Sequence, residues 1–181
     1  MQFHRYAIIV IDMLVDFVSG PLKNDRANKI IPHIVRLLAC ARKNNWIVVY
    51  ANDAHLAGDP EETVWGKHAL ANTPGAQVIK ELTPLKNDFI FGKRTYSAFY
   101  ETGLDLLLRQ NKVNTVILAG QHTHICIRHT SADAFMRNYK IIIPADCVET
   151  FTDETQQAGL EYLKMCYGAT ITSSSDLLKS S

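Results

Sequence analysis

The chain has 181 residues, 47% of them hydrophobic, and 19 basic residues against 18 acidic ones give a formal net charge of +1. That length holds one domain with a proper core and would leave two cramped, so a single domain over residues 1–181 is expected. The near-neutral balance supplies no strong field toward nucleic acid or a membrane surface, and neither is expected as a partner.

The first element is the apolar run Tyr6-Ala7-Ile8-Ile9-Val10-Ile11, which ends at Asp12. Met1 to Arg5 leads straight into it, without the longer apolar stretch and small-residue cleavage site of a secretory signal. Ile30, Ile31, Ile34, Leu37, Leu38 and Ala41 recur at helical spacing. Trp46 to Ala51 reads as the second strand. A polar stretch from Asn52 to about Leu85 follows, too long for a plain connection, and long loops of this kind are often functional. Asp88 to Gly92 is a short strand, and Leu104 to Leu108 belongs to a helix. Thr115 to Ala119 is a strand, Ile127 to Asn138 a helix, Tyr139 to Pro144 a strand and Thr152 to Tyr167 a helix. Ala169 to Thr172 reads as a last strand, after which Ser174 or Ser175 would cap a terminal helical turn.

Strands so continuously apolar are expected to be buried on both faces. Their alternation with helices predicts a doubly wound α/β fold, a mainly parallel sheet of about six strands with helices on both faces. The four cysteines, Cys40, Cys126, Cys147 and Cys166, form neither a CxxC pair nor a disulfide framework, so reduced thiols in the cytoplasm are expected. No stretch is long and apolar enough to span a bilayer.

In open α/β sheets ligands bind beyond the carboxyl ends of the strands. Asp12, Lys93 and Cys126 all fall at such ends and are expected to face one crevice. A carboxylate to take a proton, a thiol to attack and a lysine to stabilise negative charge make a covalent-catalysis set. Cys126 follows the turn Gly120-Gln121-His122-Thr123-His124-Ile125 and opens a helical pattern. A thiol in the first helical turn feels the positive end of the helix dipole, which favours the reactive thiolate. Each member has a plain alternative: a buried structural cysteine, an aspartate capping a turn, a solvated lysine. In the long loop, Asp53-Ala54-His55 with His68 offers a carboxylate and two imidazoles, a ligand set for zinc or a similar divalent ion. With seven histidines in the chain, such spacings also arise by chance.

Three segments together resemble the isochorismatase-like cysteine hydrolases, the group of nicotinamidases and N-carbamoylsarcosine amidases. They are Asp12-Met13-Leu14-Val15-Asp16-Phe17, Lys93-Arg94-Thr95-Tyr96-Ser97-Ala98-Phe99, and Gly120 to Cys126 running on through Thr130-Ser131-Ala132-Asp133-Ala134. Leu14 stands where the family has a glutamine, and His124 where it often has an aspartate. The resemblance implies an Asp12–Lys93–Cys126 triad. It also implies a non-proline cis peptide between Gln121 and His122, with the backbone N–H groups of His122 and Cys126 as an oxyanion hole. Asp53, His55, Trp65 and His68, followed by Thr73-Pro74-Gly75-Ala76, match the nicotinamidase metal segment, in which the metal, zinc by expectation, positions the substrate. The extra histidine of some nicotinamidases is missing here. Phe17, Trp65, Tyr96 and His124 are the implied pocket residues, with His129 further along the helix and structural.

The implied activity is hydrolysis of a small non-peptide amide through an acyl-thioester, releasing ammonia. Nicotinamide and N-carbamoyl compounds remain the two candidate substrates, and a homodimer or homotetramer is implied. A non-catalytic binding protein on the same fold is the rival from another class. A flavodoxin-like nucleotide binder would need a glycine-rich phosphate loop after the first strand, and Asp12 to Gly20 holds one glycine.

Overall fold

The structure is a computed structural model that describes residues 5–179. Most of the Met1–Arg5 segment and the terminal Ser180-Ser181 lie outside the described residues. The strands are β1 (Tyr6–Ile11), β2 (Ile47–Asp53), β3 (Phe89–Lys93), β4 (Thr115–Gln121), β5 (Lys140–Pro144), β6 (Val148–Glu149) and β7 (Thr170–Thr172). The helices are α1 (Val15–Val18), α2 (Ala27–Lys43), α3 (Glu62–Trp65), α4 (Leu104–Gln110), α5 (Arg128–Met136), α6 (Asp153–Tyr167) and α7 (Ser174–Lys179). The strands make one sheet in the order β3-β2-β1-β4-β5-β7, with the two-residue β6 paired to β4, and every ladder is parallel.

Alternation along a strand sends successive side chains to opposite faces. In β1, Ile8 and Val10 join Ile30, Ile34, Leu37, Leu38 and Ala41 of α2 in one core cluster. Ala7, Ile9 and Ile11 join Leu104 and Leu108 of α4, Ala134 of α5 and Leu163 of α6 in the other. Both faces of the sheet are therefore covered, as the apolar runs predicted. Each fully buried Ile or Leu contributes ~1.5–3 kcal/mol through the water it sheds.

Ends are where sequence and structure differ. β2 runs two residues beyond Ala51 and β4 two beyond Ala119, so Asp53 and Gln121 are strand termini rather than loop residues. Lys93 is the last residue of β3, in register with Asp53. The long loop is folded: it carries α3, two short turns at Pro74–Ala76 and Lys80–Leu82, and single bridges Leu14–Val78 and His55–Leu70. Asp16 fastens it, accepting from the Ala69 backbone N–H at 2.8 Å. A Cβ on Gly75 would stand 2.3 Å from the same carboxylate, so this turn closes on Asp16 only with glycine. Leu14, in the glutamine position, is fully buried beside Phe17 and Ala69. The terminal helix is capped by Ser173, whose hydroxyl accepts from the Asp176 N–H, and not by Ser174 or Ser175. Ser174 instead donates its hydroxyl to Asp146.

Candidate active site

Four adjacent strand ends build the site. Asp12 follows β1 with φ 55°, a left-handed conformation that aspartate tolerates better than most residues. Gly120, near the end of β4, has φ 112°, and a Cβ there would lie 2.0 Å from the Ile11 carbonyl oxygen. Only glycine lets β4 approach β1 so closely. The peptide Gln121–His122 is cis, where the resemblance put it. The chain then enters a single π-turn, Thr123–Ile127, before α5, so Cys126 sits in that turn rather than in the first turn of the α-helix.

Lys93, 1% exposed, is the hub. Its Nζ lies 2.8 Å from Asp12 Oδ2, 2.5 Å from Asp53 Oδ1 and 3.7 Å from Cys126 Sγ. The other oxygen of Asp12 accepts from the Asp53 backbone N–H at 2.8 Å. Sequence-predicted Asp12, Lys93 and Cys126 are thus brought together. Asp53, predicted only as a metal ligand, joins them as a second carboxylate.

The charges follow from burial and neighbours. Burial works against a charged Lys93, but Asp12 and Asp53 outweigh it and hold the ammonium well above its usual value. Burial first, and Asp53 second, push Asp12 up to about 6, against the pull of Lys93. Burial also opposes ionisation of Asp53, yet Lys93 and His55 keep it below the usual carboxylate range. Burial pushes the Cys126 thiol well up, Asp12 and Asp53 add to that, and the lowering by Lys93 does not compensate. Burial and the two carboxylates therefore oppose the thiolate expected from the helix dipole. A carboxylate that is ionised at neutral pH lies within hydrogen-bonding reach to take the thiol proton.

Beyond Asp53 stands a second cluster. Asp53, His55, Glu61 and His68 are all buried and bring ligand atoms within 4.8 Å of one another. His55 Nε2 is 3.5 Å from Asp53 and 3.8 Å from Glu61. His68 Nδ1 bonds the Gly66 carbonyl at 2.8 Å, which fixes its tautomer and leaves Nε2 as the ligand atom. Both His55 ring nitrogens and Glu61 Oε1 are buried without a hydrogen-bond partner. Burial and then Asp53 push Glu61 up to about 7. Orphaned donors, surplus negative charge and a two-imidazole, two-carboxylate set fit a divalent ion of the zinc type. Glu61 was not foreseen, because a lone glutamate in a polar loop carries no spacing signal.

A cavity of about 260 Å³ opens onto Cys126, Asp53, Glu61 and His68. Phe17, Trp65 and Tyr96 line it as expected, and Trp65 donates its indole N–H to the Tyr96 hydroxyl at 3.1 Å. His124 does not line it: its Nδ1 hydrogen-bonds Thr150 Oγ1 at 2.5 Å, beside Phe151. The expected role of His124 in the pocket is corrected, and His122, Ile125 and Phe151 take the wall instead. Burial, with His124 next, pushes the His122 imidazole down to about 3, so it is neutral. His129 is on the outside, its Nδ1–H donating to the Ile125 carbonyl.

The family model for the isochorismatase domain matches residues 6–176. The chain belongs to the isochorismatase family. An N-carbamoylsarcosine amidase structure from Thermoplasma acidophilum is 38% identical with a TM-score of 0.89, covering 94% of this chain and 96% of that one. The nicotinamidase/pyrazinamidase PncA from Bacillus subtilis is 32% identical with a TM-score of 0.88, covering 93% and 99%. A pyrazinamidase of Pyrococcus horikoshii in complex with zinc is 28% identical with a TM-score of 0.86, covering 93% and 99%. Family members thus include hydrolases of carbon–nitrogen bonds other than peptide bonds. Among the described residues, no helix of this isochorismatase-family chain is long and apolar enough to cross a membrane.

Proposed function

We propose that this chain is a cysteine-nucleophile amidohydrolase that releases ammonia from a small non-peptide amide. The observation that carries the proposal is the buried hub at Lys93, 2.8 Å from Asp12 and 3.7 Å from Cys126, with Cys126 itself lining a small cavity. Asp12 takes the thiol proton as Sγ attacks the carbonyl carbon. The backbone N–H groups of His122 and Cys126 are the proposed donors to the resulting oxyanion, which such donors stabilise because they are already fixed in place. Asp12 then returns the proton to the departing nitrogen, and ammonia leaves behind an acyl-thioester on Cys126. Water adds to the thioester, again deprotonated by Asp12, and the acid departs as the thiol is restored. Lys93 stays protonated throughout, keeping Asp12 ionised in spite of its burial.

Asp53, His55, Glu61 and His68 would hold a divalent metal, zinc in our proposal. When bound there it supplies a Lewis acid that positions the substrate. Two substrate classes fit. Nicotinamide or pyrazinamide is supported by the metal-type cluster and the zinc-bound pyrazinamidase likeness. N-carbamoyl compounds are supported by the likeness to N-carbamoylsarcosine amidase. A homo-oligomer in the cytoplasm is part of the proposal by family likeness. An ammonia-release screen over nicotinamide, pyrazinamide, N-carbamoylsarcosine and ureido acids tests it. Release from at least one, abolished in Cys126→Ala, is expected. No release from any member of the screen counts against it.

A further inference from the structure

The wall of the cavity away from the triad carries a polar feature that the chemistry above leaves unused. His122 is 93% buried and lines the cavity, yet its Nε2 has no hydrogen-bond partner. The ring stands 4.4 Å from Phe151 and 6.0 Å from Phe17, centroid to centroid, so aromatic packing holds it. A buried polar nitrogen without a partner is costly unless something else satisfies it. Lys23 lines the same cavity; its side chain is 57% exposed and, among the described residues, its ammonium pairs with the solvent-facing Asp25. Such an exposed pair is weak and readily exchanged.

These residues are held together by one buried node. Asn24 donates to Gln121 Oε1 at 3.2 Å and to the Thr150 carbonyl at 3.3 Å. Lys23, His122 and Phe151 are the immediate chain neighbours of those three residues. One hydrogen-bonded knot therefore presents a cation, a neutral imidazole and an apolar ring on a single wall. Opposite charges attract at short range, so a substrate carboxylate in this cavity would be drawn beside Lys23.

We propose that the His122 side chain is the specificity-determining contact of this pocket, hydrogen-bonding a second polar group of the substrate, which Lys23 selects to be a carboxylate. The substrate class is then a short amide or N-carbamoyl compound bearing a free carboxylate at its far end. This rests on the amidohydrolase proposal for its chemistry but not for its binding wall. Asn24 and Gln121 are positioning residues, acting through Lys23 and His122.

The test is ammonia release from succinamic acid and from N-carbamoylglycine, each compared with its methyl ester, in the parent, His122→Phe and Lys23→Gln. The expected result is a higher kcat/KM for each acid than for its ester. That ratio should fall roughly tenfold or more in either variant, the scale of a lost hydrogen bond to a charged group, and in Lys23→Gln through KM rather than kcat. Lys23 is half exposed, so Lys23→Gln remains informative if His122→Phe fails to fold. Turnover with esters preferred, or a ratio unchanged in both variants, overturns the specificity proposal and leaves the hydrolase intact. If none of these compounds releases ammonia while nicotinamide or pyrazinamide does, the specificity proposal is overturned; if those too are silent, the hydrolase proposal falls. Calorimetric titration with succinamic acid then decides: binding weakened by Lys23→Gln supports the wall, and no binding, or equal binding, overturns it.

Discussion

Lys93→Met is the perturbation whose cost follows most directly from the geometry. The ammonium is buried between Asp12 at 2.8 Å and Asp53 at 2.5 Å, and its removal leaves two carboxylates alone in the interior. Breaking a buried pair by deleting one partner costs about 3–5 kcal/mol. For a chain of this size each kcal/mol moves Tm by about 2–4 °C, so a drop of roughly 6–20 °C is expected at pH 8 in chelator-treated protein. The pH dependence has a fixed sign. In the parent, burial and Asp53 raise Asp12 to about 6 against the pull of Lys93, and removing Lys93 raises it further. Asp12 in the variant therefore takes up its proton at a higher pH than in the parent, and the deficit should shrink as pH falls from 8 toward about 6. Asp12→Asn added to Lys93→Met should recover part of the loss at pH 8 and little at pH 5. Scanning calorimetry at the two pH values measures all of this. A Lys93→Met melt within about 2 °C of the parent at pH 8, or a deficit equal at both pH values, would refute the buried-hub description.

Turnover should fall with decreasing pH below about 6, because the carboxylate that takes the thiol proton is then lost, and loading a divalent ion onto Asp53 should move that limb lower by offsetting the second cause of the shift. A profile flat to far lower pH in metal-free protein contradicts the assignment of Asp12 as the base. Elemental analysis should find about one divalent ion per chain, as a four-residue ligand set implies, absent in His55→Ala and weakly held in Glu61→Gln. A metal content unaffected by either substitution contradicts the cluster. Brief iodoacetamide treatment should label the exposed Cys166 first and the buried Cys126 late, read by peptide mass spectrometry. Preferential labelling of Cys126 in the resting protein would restore the thiolate that the helix dipole alone suggested.

Much of the fold was legible because it is written in periodicity. The continuous runs at Tyr6–Ile11 and Thr115–Ala119 announce strands buried on both faces, and the spacing from Ile30 to Ala41 announces α2. The triad was legible as three residues at strand ends, once the motifs around Asp12, Lys93 and Cys126 were taken together. What escaped depends on side-chain direction and register. Asp53 stands level with Lys93 because β2 runs on through polar Asn52 and Asp53, where hydrophobicity no longer marks a strand. Glu61 enters the cluster through the folded course of the long loop, which Asp16 fastens from another segment. His124 is drawn off by Thr150, 26 residues away, while His122 takes the wall, and neither is encoded in their near-identical local setting. The surroundings of the Cys126 sulfur were not legible, because helix position is visible in sequence whereas burial among two carboxylates is not.

The central claim is that Cys126 carries the acyl group. Its most direct test is acid quenching during turnover of a substrate found in the ammonia screen, followed by intact-protein and peptide mass spectrometry. The account predicts an adduct with the mass of the substrate acyl group on the peptide containing Cys126, labile at high pH as a thioester, and absent from Cys126→Ala, which keeps its fold but releases no ammonia. Continued ammonia release by Cys126→Ala, or an acyl adduct mapped to another residue, would contradict it.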